Sequence, residues 1–105
     1  MHTLTRLETI IADRAGADPS TSYVAKLMAK GVPHIARKVG EEAVEAAIAA
    51  VSGAREELRD EAADLLFHLM ILLHARGLDL AEVLGELDRR DGVSGIAEKA
   101  SRKDD

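Results

Sequence analysis

Apolar residues recur at intervals of three and four along nearly the whole chain, and strand-type alternation is almost absent. Leu4, Leu7 and Ile11 mark a first helix over about 4–15. Asp18-Pro19-Ser20 reads as a turn, and Ser20 or Ser22 caps a second helix carrying Tyr23, Leu27 and Met28, ended by Gly31. Pro33 suits the first turn of a third helix. Its stripe is Ile35, Val39, Ala43, Ala46, Ala47 and Ala50, and Ser52-Gly53 stops it. A fourth helix runs from about Ala54 to Arg76 with Leu58, Ala62, Leu65, Leu69 and Leu72 facing inward, and Gly77 closes it. Asp79-Leu80-Ala81-Glu82 is an acidic variant of the capping box and opens a fifth helix to about Arg90, flanked by Leu78 and Val83 as a hydrophobic staple. Beyond Asp91-Gly92 the periodicity fades, so residues 92–105 read as a polar tail. The expected architecture is all-α: a single domain, 1–105, built as a four- to five-helix bundle.

One stretch exceeds what such a bundle can cover. Leu65 to Leu73 (LLFHLMILL) is apolar nearly all round its helix, and a helix of that kind is buried on most sides. A second copy of the chain is therefore expected to cover part of it, giving a homo-oligomer with a dimer as the simplest form. Composition agrees with a packed domain. Hydrophobic residues are 47% of 105, while Tyr23 and Phe67 are the only aromatics, so the core is aliphatic. Net charge is 14 − 19 = −5, which argues against a general nucleic-acid binder. The chain has no Cys, which excludes disulfide scaffolds, thiol nucleophiles and thiolate metal sites. The run Leu69–Leu73 is far too short to span a bilayer, and the first residues lack the apolar stretch of a signal peptide. A soluble cytoplasmic protein is the expectation.

Chemistry gathers on the third and fourth helices. At about 100° per residue, Lys38, Glu42 and Glu45 fall within roughly 60° of one another, and Glu57, Glu61, Asp64 and His68 do the same on the next helix. Each set borders an apolar stripe. The short Ser52-Gly53 connection makes the two helices antiparallel, which brings the acidic pairs to about the same height. Converging carboxylates repel one another, so something cationic must offset them. Hard oxygen donors favour Mg²⁺ or Mn²⁺, ions that bridge carboxylates to phosphate oxygens, and this points to metal-assisted phosphoanhydride hydrolysis. A solvated helix face laced with pairs such as Lys38–Glu42 fits the same pattern, and the spacing alone does not choose.

Other chemistries have less support. A di-iron bundle uses Glu-x-x-His, but the residues three before His34, His68 and His74 are Gly31, Leu65 and Ile71. His68, one turn beyond Asp64, is either a group supporting the carboxylates, a general base, or a hydrogen-bonded histidine at the core edge. No serine sits in an activating motif, and the glycines form no phosphate-cradling loop. Lys26, Lys30, Arg37 and Lys38, or Lys99, Arg102 and Lys103 in the tail, are cations suited to a polyanionic substrate.

Glu42-x-x-Glu45, fifteen residues, then Glu61-x-x-Asp64 resembles the metal signature of the all-α MazG-like nucleoside-triphosphate pyrophosphohydrolases. SYVAKLMAKG (22–31), KVGEEAVEAAIAA (38–50), DEAADLLFHLMILL (60–73) and SGIAEKASR (94–102) resemble, more closely, the phosphoribosyl-ATP pyrophosphatase family within it. The likeness extends over residues 4–103. It implies hydrolysis of phosphoribosyl-ATP to phosphoribosyl-AMP and pyrophosphate in histidine biosynthesis. It further implies Glu42, Glu45, Glu61 and Asp64 as Mg²⁺ ligands, with Glu41 as a nearby acidic group. Glu41 or Glu45 is then the general base, and Lys38, Lys99, Ser101 and Arg102 contact the nucleotide substrate. The alternatives are a house-cleaning pyrophosphohydrolase acting on dCTP or a similar nucleotide, and a non-catalytic helical dimerisation module.

Overall fold

The computed structural model describes residues 2–91, so Lys99, Ser101 and Arg102 lie outside the described residues. Five helices and no strand occur among the described residues: α1 (Thr3–Ala15), α2 (Tyr23–Lys30), α3 (Val32–Ser52), α4 (Arg55–Ala75) and α5 (Leu80–Arg90). The all-α expectation holds. Ser22 is the cap of α2, its hydroxyl accepting from the Ala25 N–H at 3.1 Å. Gly31 alone joins α2 to α3. Its N–H closes α2 on Leu27 and Met28, its carbonyl accepts from Ile35, and its φ of 95° is open to glycine at little strain. At the α3–α4 corner a Cβ on Gly53 would collide with the Glu57 carboxylate and meet the Ala49 carbonyl at 3.0 Å. The glycine lets the two long helices fold back on each other. The Glu82 carboxylate accepts from the Asp79 N–H at 3.1 Å, the capping box read in the sequence.

The core gathers at one end of the α3–α4 hairpin. Ile11, Val24, Leu27, Ile35, Met70, Ile71 and Leu80 are buried together, with Ile35 and Ile71 fully so. A long-range bond that no local pattern announces closes this end: Glu8 of α1 accepts from the Leu80 N–H at 2.8 Å and caps α5.

The α3 stripe differs from expectation. Ile35 is buried and Val39 and Ala46 are half-buried, but Ala43, Ala47 and Ala50 are exposed. Steps of four drift by about 40° each on a helix, whereas steps of seven drift by only about −20°. The face against α4 therefore follows Ile35, Glu42 and Ala49, the three buried residues of α3, and an acidic residue takes a seam position. Leu58, expected inside, is also exposed, because residues 51–60 at the hairpin tip have no cover among the described residues. Within Leu65–Leu73, His68, Met70 and Ile71 are buried, and Leu66 remains 46% exposed.

Candidate active site

Midway along the α3–α4 seam, between the core and the tip, Glu42, Glu45 and Glu61 converge. One carboxylate oxygen from each can be chosen so that all three lie within 4.8 Å. Their i, i+3 spacing on α3 and the tight Gly53 corner bring this about. Glu42 is 8% exposed, Glu61 half-buried and Glu45 exposed. Asp64 is exposed and stands outside the tight group, though its charge reaches both Glu42 and Glu61. Burial holds the Glu42 carboxyl above the usual carboxylate range, and a hydrogen bond to Glu45 and the Glu45 charge push the same way. Glu61 is raised by the same causes in the same order. Glu45 thus lies between the two.

Two oxygens are left over. Glu42 Oε2 and Glu61 Oε2 are buried and have no hydrogen-bond partner. Buried carboxylate oxygens without donors are strongly unfavourable unless a cation meets them or the group takes up a proton. The donor set is entirely hard oxygen, so the residues fit Mg²⁺ or Mn²⁺ and not a soft metal. Open space reaches Glu45 on two sides: a cavity of about 450 Å³ toward the hairpin tip, lined also by Glu57, Asp60 and Glu61, and a groove of about 590 Å³ lined by Arg37, Gly40, Glu41 and Val44. Another hollow of about 590 Å³, between α1 and the α4–α5 corner, touches none of the three clustered carboxylates.

Glu41 is not one of the three clustered carboxylates. It is exposed and pairs with Arg37 and with Lys38, each at 3.6 Å. Lys38 Nζ also lies 4.0 Å from Glu42 Oε1, so the pairing expected for a plain helix face is present alongside the acidic cluster. Partial burial, and then the cations of Lys30, Arg37 and Lys38, hold His34 below its ordinary value. This marks a basic patch beside the carboxylates.

His68 has both ring nitrogens engaged. Nδ1 is 2.7 Å from the Asp64 carbonyl, which only accepts, so Nδ1 carries the hydrogen. In the neutral ring Nε2 then accepts from the Tyr23 hydroxyl at 2.8 Å. Of the three roles the sequence left open, the free general base is the one this arrangement does not offer. The sequence held no signal for the Tyr23 partner, because the two residues are 45 apart in the chain.

Fold and cluster together define an all-α protein with a carboxylate-lined site suited to a hard divalent cation. The phosphoribosyl-ATP pyrophosphohydrolase family profile matches residues 4–91. A phosphoribosyl-ATP pyrophosphatase of Erythrobacter litoralis (strain HTCC2594) is 62% identical over 104 residues, which is 99% of this chain and 100% of that protein. One of Novosphingobium aromaticivorans is 65% identical over 99 residues, 94% of this chain and 92% of that protein, and one of Rhizorhabdus wittichii is 64% identical over 100 residues. The chain belongs to the phosphoribosyl-ATP pyrophosphohydrolase family.

Proposed function

We propose that this chain hydrolyses phosphoribosyl-ATP to phosphoribosyl-AMP and pyrophosphate, the second step of histidine biosynthesis, acting in the cytoplasm as a single-domain homo-oligomer. The observation carrying this reading is the buried Glu42 carboxylate. In a chain of this family it meets Glu45 and Glu61 at the α3–α4 seam with one oxygen unpartnered. Glu42, Glu45, Glu61 and Asp64 would hold Mg²⁺, or Mn²⁺ in its place. When bound, the ion neutralises charge on the triphosphate and on the departing pyrophosphate.

The remaining work falls to the chain. Glu45, exposed toward open space on both sides, accepts a proton from the water that attacks the α-phosphorus. The new bond joins that water oxygen to the α-phosphorus, and the bond to the bridging oxygen of the β-phosphate breaks, so pyrophosphate leaves whole. Glu41 is the second candidate base. Its pairing with Arg37 and Lys38 also keeps two cations beside the cluster. Lys38, with Lys99, Ser101 and Arg102 of the C-terminal segment, binds the substrate phosphates. The alignment with the Erythrobacter protein runs over 104 residues and so takes in most of that segment.

A second copy covers the apolar surface that stands exposed among the described residues. Val44 and Ile48 are each 58% exposed and Val51 is 89% exposed, with Leu58 and Leu66 on the facing helix. A dimer is the smallest assembly that buries them.

The test is pyrophosphate release from phosphoribosyl-ATP with and without Mg²⁺, with dCTP and ATP in parallel. Metal-dependent release from phosphoribosyl-ATP alone is expected. Release from dCTP instead would move the chain to nucleotide house-cleaning, and no release from any substrate would return the carboxylates to a structural role. Glu45→Gln should abolish turnover with little change in folding; wild-type turnover in that variant would pass the base role to Glu41.

A further inference from the structure

The proposed chemistry makes no use of Tyr23 or His68, yet His68 lies four residues beyond Asp64, about 6 Å along α4. His68 is 5% exposed, and both of its ring nitrogens are engaged. Its ring cannot turn freely: Phe67 meets it edge-on at 5.5 Å and Tyr23 at 5.7 Å, while Tyr23 and Phe67 stack at 6.2 Å. Tyr23 is 46% exposed, but its backbone position is fixed. It is the first residue of α2, directly after Ser22, whose hydroxyl caps α2 and bonds the Arg14 carbonyl at the end of α1. Among the described residues no other side-chain hydrogen bond joins α2 to α4. The carboxylates of α3 and α4 repel across their seam and push the two helices apart. A tie from α4 to α2, which follows directly into α3 through Gly31, opposes that opening.

We propose that Tyr23 and His68 form a positioning pair: their hydrogen bond fastens α4, one turn beyond Asp64, to α2, and so keeps Glu61 against Glu42 and Glu45 of α3 and Asp64 beside that group. Neither residue touches the substrate. The inference rests on the metal reading above. It is tested by titrating Mn²⁺ calorimetrically into the full chain as wild type, Tyr23→Phe, His68→Asn and the double variant. Supporting groups behind metal ligands typically change affinity by 10–100-fold, so Tyr23→Phe should weaken Mn²⁺ binding by about tenfold, with circular dichroism unchanged. His68→Asn keeps a donor for the Asp64 carbonyl but loses Tyr23, and should match it. The double variant should be no worse than either single one, because both remove one contact. In turnover assays the metal concentration for half-activity should rise by the same factor while KM for the nucleotide stays put.

Unchanged Mn²⁺ affinity in Tyr23→Phe, with only a lower melting temperature, would overturn the pair's role and leave it as packing. Should Tyr23→Phe fail to fold, His68→Asn alone decides by the same readout. A wild type that binds no Mn²⁺ at all would overturn the metal reading itself, and with it this inference.

Discussion

Replacing Glu42 by Gln should have two effects of opposite sign. The side chain is 8% exposed, keeps its shape, and loses a charge that has a carboxylate neighbour on Glu45 within 4.8 Å and an unpartnered oxygen. Two full charges at that separation repel by about 3 kcal/mol at an effective dielectric near 20. Glu45 is exposed, so solvent screening reduces the relief to about 1–2 kcal/mol. In a domain of this size that corresponds to a rise in Tm of roughly 4–10 °C for the metal-free protein. The same substitution removes a ligand, so the upward shift in Tm that Mn²⁺ gives the wild type should vanish. Differential scanning fluorimetry at pH 7.5, with chelator and with millimolar Mn²⁺, reads both arms. A variant less stable than wild type in chelator, yet still stabilised by Mn²⁺, would refute the reasoning: the carboxylate would then be satisfied by neighbours and irrelevant to the ion.

Four further outcomes follow from particular groups. The folded-state carboxyls of Glu42 and Glu61 lie above their ordinary values, so their ionisation opposes folding. The metal-free protein should gain stability as pH falls from 7 through those raised values, Glu42→Gln should gain less, and Mn²⁺ affinity should fall over the same interval because ligands bind deprotonated. The Glu86 carboxyl is lowered to about 2 by its hydrogen bonds to Arg89 and Arg90. Its support for α5 is present above its unfolded value and is lost as pH falls toward 2, so acid unfolding of Glu86→Gln should show a weaker pH dependence there. Gly53→Ala should destabilise, since its Cβ meets the Glu57 carboxylate and the Ala49 carbonyl. Gly40→Ala enters open space within a helix and should stabilise an isolated chain by about 0.5–1 kcal/mol. A loss of stability that grows with protein concentration would instead place Gly40 against a second copy.

Helix number, boundaries to within a residue or two, the Asp79–Glu82 box and the all-α class were legible because they depend on local spacing and capping. The acidic pairs were legible too: a short corner forces antiparallel helices, and equal distances from it give equal heights. What spacing could not supply was rotation. Whether α3 turned Ala43 or Glu42 toward α4 depended on how its ridges met the other helix, and a small angular drift moved three alanines outward and one carboxylate inward.

The sequence by itself therefore determined the elements, their order and the residue types available for chemistry, since these follow from near-neighbour physics. Only the tertiary structure decided which carboxylates converge: Glu42, Glu45 and Glu61 do, Asp64 stands just outside, and Glu41 faces Arg37 and Lys38. It alone joined Tyr23 to His68 and Glu8 to Leu80, contacts spanning 45 and 72 residues. Such pairs leave no periodic trace, because they are made by the packing of whole helices rather than by the spacing within any one of them.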